Sequence, residues 1–230
     1  MKIAAVVCLS FAMFLIISLS PSVRDSAAEA PAPAPEPRQL FNGHDMDGWE
    51  HIGPGRFLVE DALLRTEGHM GLLWYTREKF GNCQLKVVYK VGKVDSNSGV
   101  FIRIADRPAD PWFAVHNGFE IQICDEEDDF HTTGVVYSLT KALSRPEKVP
   151  GEWNTMLIAM KGTRVRVELN GAVVTNFDST DPMRPRTQWY EPDRGPVRPE
   201  TGYIGLQNHD DKDSHVCFKE VSVGPLPADF

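Results

Sequence analysis

The ten residues VRVELNGAVV, at positions 165–174, alternate apolar and polar side chains on both sides of an Asn-Gly pair. Period-two alternation is typical of a β-strand with one buried face. Asn170 and Gly171 both tolerate the positive φ that a tight hairpin turn requires. This stretch therefore predicts a β-hairpin, and the alternating residues 153–160, joined to it through 161–163, extend it to a three-stranded meander.

The same alternation continues along the chain, and no apolar repeat at helical spacing exceeds a couple of turns. Short strands separated by Gly, Asn and Asp turns indicate an all-β sandwich or barrel. Two irregular segments rich in Pro and aromatic residues, 106–117 and 181–201, interrupt the pattern, and such loops usually carry function or specificity. The predicted strands are 57–66, 71–76, 83–91, 99–104, 119–124, 135–139, 153–160, 165–169, 172–177, 203–207 and 216–223.

The composition of the chain narrows its class. Of its 230 residues, 42% are hydrophobic and 24% are charged, which excludes disorder, collagen and coiled coil for the main body. The net charge of −8 disfavours a nucleic-acid or anionic-membrane partner. Gly-rich phosphate loops, Gly-x-Ser-x-Gly, His-Glu-x-x-His and Cys-x-x-Cys do not occur, which argues against nucleotide-dependent, serine-hydrolase, zincin and thioredoxin-like functions.

The N-terminus has the three regions of a secretory signal in order: Lys2, the apolar run 3–19 and the small-residue triplet 28–30. We therefore expect export to the periplasm or the extracellular space. An uncleaved N-terminal anchor is the alternative, and it would be the protein's one contact with a membrane. The predicted organisation is a signal peptide over 1–30, a Pro/Ala-rich linker over 31–38 and a single domain over 39–226.

Three cysteines follow the signal segment, namely Cys83, Cys124 and Cys217. An odd number in an oxidising compartment permits at most one disulfide, and the sequence does not say whether one forms. Because Cys83 alternates with apolar residues along a predicted strand, we interpret it as a small buried hydrophobic side chain.

Seven ordered blocks lie between residues 40 and 223. They are Leu40-Phe41-Asn42-Gly43 with Gly48-Trp49; Asn97-Ser98-Gly99-Val100 with Arg103; Gly118-Phe119-Glu120 with Gln122 and Asp125; Thr133-Gly134 with Tyr137; Gly151-Glu152-Trp153-Asn154; Asn170-Gly171; and Gly202 with Ile204-Gly205-Leu206-Gln207 and His209. In this order the blocks resemble the 3-keto-disaccharide hydrolase domain family, long catalogued as a domain of unknown function. The resemblance implies a concanavalin A-like jelly roll, a two-sheet antiparallel β-sandwich, in proteins commonly exported by sugar-degrading bacteria. It also implies cleavage of glycosides whose sugar carries a ketone at C3.

Strand parity predicts which polar residues of these blocks face away from the core. In FEIQIC, residues 119–124, the apolar side chains at 119, 121 and 123 must face inward, which turns Glu120 and Gln122 to the opposite face. The same parity turns Arg103 on one strand, and Gln207 and His209 on another, away from the core. If these strands are neighbours, the five side chains converge in the sugar groove of a jelly roll.

The expected chemistry follows from the ketone. Laminarinase-like glucanases of this fold use two carboxylates on one strand, but Gln122 and Cys124 stand where a second carboxylate is required, and Asp125 and Glu126 are the remaining candidates in a bulged strand end. One base is sufficient for a 3-keto sugar, because the ketone acidifies the C2 hydrogen and elimination then expels the group on C1. We assign Glu120 as base, Arg103 as oxyanion stabiliser and His209 as second acid/base. Asn97, Gln122, Tyr137 and Gln207 are candidates for hydroxyl recognition, and Trp112 for stacking on the sugar.

Alternatives remain at this point. No cofactor is firmly implied, but acidic runs at 125–129, followed by His131, and at 209–213, followed by His215, leave open a structural calcium ion or a catalytic divalent ion. A catalytic ion near Glu120 and His209 would replace Arg103 as enolate stabiliser. The partner is an oligosaccharide or glycoside. A non-catalytic, lectin-like carbohydrate-binding module is the alternative function, because one fold serves both. The sequence does not identify the glycoside, the final product or the oligomeric state.

Overall fold

The computed structural model of the chain describes residues 36–125, 128–195, 197–209 and 214–230. Within those ranges no helix has the length and the apolar character needed to cross a membrane. The predicted signal peptide and most of the predicted linker lie outside the described residues, so export and anchoring stay predictions.

The described residues form strands with one short helix between them, and every strand pairing is antiparallel. In chain order the elements are β1 (Arg38–Gln39), β2 (Trp49–Ile52), β3 (Arg56–Glu60), β4 (Leu63–Glu67), β5 (Gly71–Tyr75), β6 (Cys83–Val91), β7 (Ser98–Ile104), α1 (Pro111–Asn117), β8 (Phe119–Ile123), β9 (Asn154–Lys161), β10 (Arg164–Leu169), β11 (Ala172–Asp178), β12 (Tyr203–Asn208) and β13 (Val216–Gly224).

Two sheets stack on each other to form a sandwich. The larger sheet has the order β11-β10-β9-β6-β13-β4-β3, with β1 paired to β13, and the smaller has the order β2-β5-β12-β7-β8. Apolar side chains from both sheets fill the space between them, including residues 119, 121 and 123 of β8, as parity predicts. The prediction of an all-β, two-sheet antiparallel sandwich is confirmed.

The hairpin from which the sequence argument started is present. Leu169 pairs with Ala172, and Asn170 and Gly171 take φ values of 50° and 83°, as a two-residue turn demands. The side-chain oxygen of Asn170 also accepts a hydrogen bond of 2.9 Å from the backbone N–H of Thr155, so the turn is tied to β9. The meander β9-β10-β11 is therefore stabilised both by the pairing of its strands and by the hydrogen bond from β9 to the β10–β11 turn.

Several predicted boundaries were wrong. The predicted strand 57–66 is two strands, β3 and β4, because Asp61 and Ala62 both adopt positive φ and reverse the chain without a glycine. The predicted strand 135–139 forms only an isolated bridge between Val136 and Ile121, because Gly134 and Ser138 turn the backbone on either side of it. Strand β2 was not predicted, and the segment 106–117, predicted to be irregular, contains α1.

The helix α1 covers part of the outer face of the smaller sheet. Asp110 caps it by accepting a hydrogen bond from the N–H of Phe113, and Pro111 occupies the first turn, where no N–H is needed. Ala114 and Val115 then pack on that outer face, away from the main core. The rest of the face is left open beside the helix. The sheet residues in this second apolar cluster are Leu72, Trp74, Phe101 and Ile104.

An extra residue in β7 changes the direction of one predicted site residue. Along β7, Phe101 pairs with Gly205 and Ile104 pairs with Tyr203, so three steps of β7 oppose two steps of β12. Arg103 lies within this bulge and has a φ of 54°. The alternation predicted from the sequence therefore fails at this one residue, and Phe101 and Ile104 both pack in the outer cluster.

We expect Gly202→Ala to destabilise the fold, because an added Cβ would lie 2.4 Å and 2.5 Å from the backbone C and Cα of Arg103. Backbone atoms cannot move aside as a flexible side chain can, so the free energy of unfolding should fall by about 1–3 kcal/mol. Chemical denaturation of the purified protein measures this. Gly195→Ala is the matched control, since its Cβ would enter open space; equal stability of the two variants would contradict the bulge.

Candidate functional site

A cavity of about 460 Å³ opens on the outer face of the smaller sheet beside α1. Strands β8 and β12 supply its floor, while α1 and the Pro-rich segment 181–201 supply its mouth. The structure brings together all the residues predicted for the site except Arg103. The lining residues are Met70, Asn97, Trp112, Val115, Glu120, Gln122, Tyr137, Trp189, Tyr190, Gln207 and His209.

Glu120 lies at the floor, in space that a glycine on the next strand leaves open. On β7, Gly99 pairs with Gln122 and Phe101 pairs with Glu120. A Cβ on Gly99 would lie only 2.4 Å from Oε1 and 2.8 Å from Cγ of Glu120. Gln207, the residue after the β12 partner of Val100, hydrogen-bonds the Glu120 carboxyl. A carboxyl and an amide from two separate strands thus meet beside this glycine.

Burial gives the Glu120 carboxyl an unusual protonation equilibrium. The residue is 7% exposed. Desolvation raises the pKa of Glu120 to about 7, against the opposing effects of the His209 charge and the Gln207 hydrogen bond. A carboxyl with a pKa near neutrality can take and return a proton at physiological pH, which is the property of a general base.

Amide and hydroxyl groups surround this carboxyl. The Gln122 side-chain oxygen accepts a hydrogen bond of 3.2 Å from the N–H of Ile123, which leaves its NH₂ group as the donor towards a ligand. Tyr137 is brought beside β8 by a backbone hydrogen bond of 2.8 Å from its N–H to the carbonyl of Glu120. In the described part of the chain, the buried Oε1 of Gln207 has no hydrogen-bond partner. The floor therefore offers both donors and an acceptor to a polyhydroxylated molecule.

The structure does not bring Arg103 to the cavity, which corrects its predicted position. Its guanidinium is buried elsewhere and donates from Nη2 to the carbonyls of Gly162 (2.5 Å) and Arg164 (3.3 Å) in the β9–β10 turn. The β7 bulge is the physical reason, because it removes Arg103 from the alternation of the strand. An oxyanion at the Glu120 floor would have to be met by the amide, hydroxyl or imidazole groups there.

Asp125, a candidate for a second carboxylate, is occupied by other contacts. Its Oδ1 lies 2.8 Å from Nζ of Lys148 and accepts a hydrogen bond of 2.6 Å from Thr133. It does not line the cavity. Among the described residues Glu120 is therefore the one carboxylate that lines the cavity; Glu126 lies outside the described residues. Retaining hydrolysis by displacement requires two carboxyl groups about 5 Å apart, and the described lining does not supply a second one.

The aromatic mouth of the cavity was only partly anticipated. The rings of Trp112 and Trp189 lie 5.6 Å apart, and Tyr190 makes an edge contact with Trp189 at 5.7 Å. The sequence marked the Pro-rich segment 181–201 as a loop of interest, but nothing in it indicated that this loop lies against α1. Met70 and Val115, which complete the apolar side, had no signal in the sequence.

A buried ion pair anchors this loop. Glu191 accepts hydrogen bonds from the N–H (3.0 Å) and the hydroxyl (2.7 Å) of Thr187, and its Oε2 lies 3.1 Å from Arg194, which also reaches Ser138. Burial alone would raise the pKa of Glu191, but its hydrogen bonds and the Arg194 charge lower it to about 2. Arg198 ties the end of the loop to the carbonyls of residues 116, 118 and 193. Charged residues in a Pro-rich stretch suggest a solvated loop, so the sequence did not reveal these anchors.

The described residues hold no group of three His, Cys, Asp or Glu side chains that could bind a metal ion. In the first acidic run, His131 pairs with Asp128 at 2.9 Å. Residues 126, 127 and 210–213 lie outside the described residues, so the metal alternative stays open. Cys83, Cys124 and Cys217 are free thiols, and burial raises the pKa of Cys83 to about 11.

Comparison with known proteins gives a family and several structural relatives. Residues 36–224 match the family model described as the 3-keto-alpha-glucoside-1,2-lyase-like domain. A proposed glycosyl hydrolase from Parabacteroides distasonis has a TM-score of 0.67 and 26% identity, over 84% of this chain and 100% of that chain. A carbohydrate-binding module from Bacillus subtilis has a TM-score of 0.50 and 13% identity, over 77% and 95% of the two chains, which shows a shared fold. No curated protein matches the chain by sequence.

We expect the stability of the protein to fall as pH rises from about 4.5 to about 7. The pKa of Glu120 is raised in the folded state, so the folded protein holds this proton more tightly than the unfolded chain does, and ionisation disfavours folding. Glu120→Gln should remove a pH-dependent loss on the order of 3 kcal/mol. Urea unfolding at pH 5 and pH 8 measures it. The control Glu152→Gln, at an exposed residue, should keep the wild-type pH dependence; a loss of the dependence in both variants would contradict the assignment to Glu120.

Proposed function

This chain belongs to the 3-keto-alpha-glucoside-1,2-lyase-like domain family, and we propose that it cleaves the glycosidic bond of 3-keto-glycosides, including 3-keto-disaccharides, by elimination. The observation that carries the proposal is the buried Glu120 carboxyl, whose pKa is about 7, at the floor of a cavity. Amide, hydroxyl, imidazole and aromatic side chains, which are suited to binding a sugar, line this cavity. A single base of this kind matches a reaction that needs one proton removed next to a ketone.

The proposed reaction has two steps. Glu120 removes the proton from C2, the C2–H electron pair forms the C1–C2 double bond through an enolate, and the bond from C1 to the glycosidic oxygen breaks. The leaving oxygen takes a proton, which gives the free alcohol or sugar. Water then adds across the double bond, with its hydroxyl on C1 and a proton on C2, which completes a net hydrolysis. Release before hydration would make the same first step a lyase reaction.

Other residues of the cavity support this assignment. The amide N–H groups of Gln122 and Gln207 are suitable donors to the enolate oxygen, taking the role that Arg103 was expected to have. His209 lines the same cavity and lowers the pKa of Glu120 through its charge, and we assign it as the acid for the leaving oxygen. Asn97 and Tyr137 are candidates for binding the remaining hydroxyls. A divalent ion near Glu120 and His209 is the alternative enolate stabiliser.

A lectin-like binding module is the second candidate function, and the exposed aromatic mouth favours it. Aromatic rings beside hydrogen-bonding groups are sufficient to bind a sugar without reacting with it. A binding module has no use for a buried carboxyl with a raised pKa, however, and such a group lowers stability at neutral pH. Glu120 therefore favours the enzyme.

Replacing the base tests the proposal directly. Glu120→Gln should lower kcat for release of the leaving sugar from a 3-keto-disaccharide by about 10²–10⁴-fold, with folding intact. In the wild type, kcat/KM should rise with pH through an apparent pKa of about 7, because the base must be ionised. The unoxidised parent disaccharide should not be cleaved. Repeating the assay with a chelator reports on a metal ion.

The controls for this experiment separate its outcomes. Glu152→Gln, which changes an exposed carboxylate, should keep wild-type kinetics. Full activity of Glu120→Gln would overturn the assignment of the base. If neither sugar is cleaved and both bind, the binding module replaces the enzyme as the function.

The packing of Gly99 against Glu120 provides a further test. In Gly99→Ala the new methyl group must displace the Glu120 side chain, since it would lie 2.8 Å from Cγ and 3.0 Å from Cδ. Misplacing a catalytic group by about 1 Å can cost roughly 100-fold, so we expect a loss of kcat/KM of that order with an unchanged circular dichroism spectrum. Gly195→Ala should retain activity. A fully active Gly99→Ala would show that the carboxyl position is not critical.

A further inference from the structure

The cavity has two chemically different sides. Hydrogen-bonding side chains line its floor, on β8, on β12 and on the segments that flank β7 and β8. The opposite wall is apolar and aromatic. The floor residues are Asn97, Glu120, Gln122, Tyr137, Gln207 and His209, and the wall residues are Met70, Trp112, Val115, Trp189 and Tyr190. Within this lining, the wall carries few polar side-chain atoms: the indole N–H groups of two tryptophans and one phenol hydroxyl.

The wall exposes large aromatic surfaces to solvent. Trp112 is 38% exposed and Trp189 is 71% exposed, and Tyr190 adds a third exposed ring beside them. Their rings contact one another with interplanar angles of 40° and 80°, so the three rings form one continuous aromatic cluster at the mouth. Contiguous exposed aromatic groups of this kind mark binding sites, because covering them removes apolar area from water.

The wall is also held in place before any ligand arrives. Trp112 lies in the first turn of α1, which is capped by Asp110 and fixed to the sheet through Ala114 and Val115. Trp189 lies two residues from Glu191, whose buried contacts with Thr187 and Arg194 anchor the loop. Aromatic side chains on fixed backbone lose little conformational freedom on binding, which makes them efficient contacts.

We propose that the wall binds the leaving group of the substrate and that this group is a planar aromatic alcohol, a phenol, in preference to a second sugar. The inference rests on the proposed elimination. The hydroxyls of the 3-keto sugar need the polar floor, and C1 is the neighbour of the carbon that Glu120 deprotonates, so the group on C1 projects from the floor towards the mouth. A second sugar could stack one ring face on this wall, but the wall offers few hydrogen-bonding partners to the sugar's hydroxyls. A phenyl ring would stack on the tryptophans.

Binding of matched ligands tests this inference apart from leaving-group reactivity. In the Glu120→Gln protein, whose turnover should be slowed by about 10²–10⁴-fold, calorimetry measures Kd for methyl 3-keto-glucoside, phenyl 3-keto-glucoside of the same anomer, and a 3-keto-disaccharide. The phenyl ligand should bind about tenfold or more tightly than the methyl ligand, and more tightly than the disaccharide. Trp112→Ala and Trp189→Ala, each introduced into this protein, should weaken phenyl binding about three- to tenfold and leave methyl binding unchanged.

The matched control is Trp153→Ala, which removes a tryptophan of similar exposure, 40%, that lies beside Lys90 and outside the cavity lining. This variant should keep the preference for the phenyl ligand. Equal Kd values for the methyl and phenyl ligands, tighter binding of the disaccharide, or an equal loss for both ligands in the tryptophan variants would overturn the inference. These outcomes differ from failure of the proposed function, in which the wild type cleaves none of the three compounds.

Discussion

The contact between the Glu120 side chain and Gly99 is the constraint on which the site depends. A carboxylate can lie at the floor of an apolar sandwich face only if the next strand makes room for it, and a glycine on β7 does so. Burial in that space brings the carboxyl pKa to about 7, while the Gln207 amide and the His209 charge keep its ionised form accessible. The same packing therefore supplies the position of the group and its basicity.

The outer face of the smaller sheet shows how the sandwich divides structure from function. The helix α1 covers one part of this face with an apolar cluster, and the uncovered part carries the polar floor. The bulge in β7 maintains the division. Because of the bulge, Phe101 and Ile104 both pack in the cluster under the helix. The Arg103 side chain lies instead at the β9–β10 turn, where its guanidinium donates hydrogen bonds to backbone carbonyls. The enolate in the proposed reaction is therefore stabilised by neutral donors or by an ion, and its stabiliser is not this arginine.

The loop that carries Trp189 depends on interactions of a different kind. Its described residues belong to no strand, and the buried carboxylate of Glu191 holds it in position together with Arg194 and Arg198. Desolvation offsets much of the attraction in a buried ion pair, but removing one partner leaves an uncompensated buried charge, so the pair keeps its two partners together. These charged residues lie away from the floor, but they hold the loop that carries Trp189. They therefore support the aromatic wall that we propose to bind the leaving group.

The sequence by itself determined the sandwich and the outward direction of Glu120, Gln122 and Gln207. Both follow from period-two alternation, which is a local property of an extended chain, and the Asn-Gly hairpin needs no distant partner. The tertiary structure decided the rest. Arg103 does not lie on the predicted face, because it lies in a bulge that is set by the pairing of β7 with β12. The predicted strand 57–66 is divided by a turn at Asp61 and Ala62, and the turn contains no glycine that would have indicated it in the sequence. The aromatic wall and the raised pKa of Glu120 arise from contacts and burial between segments that are distant in sequence, and no local pattern encodes either of them.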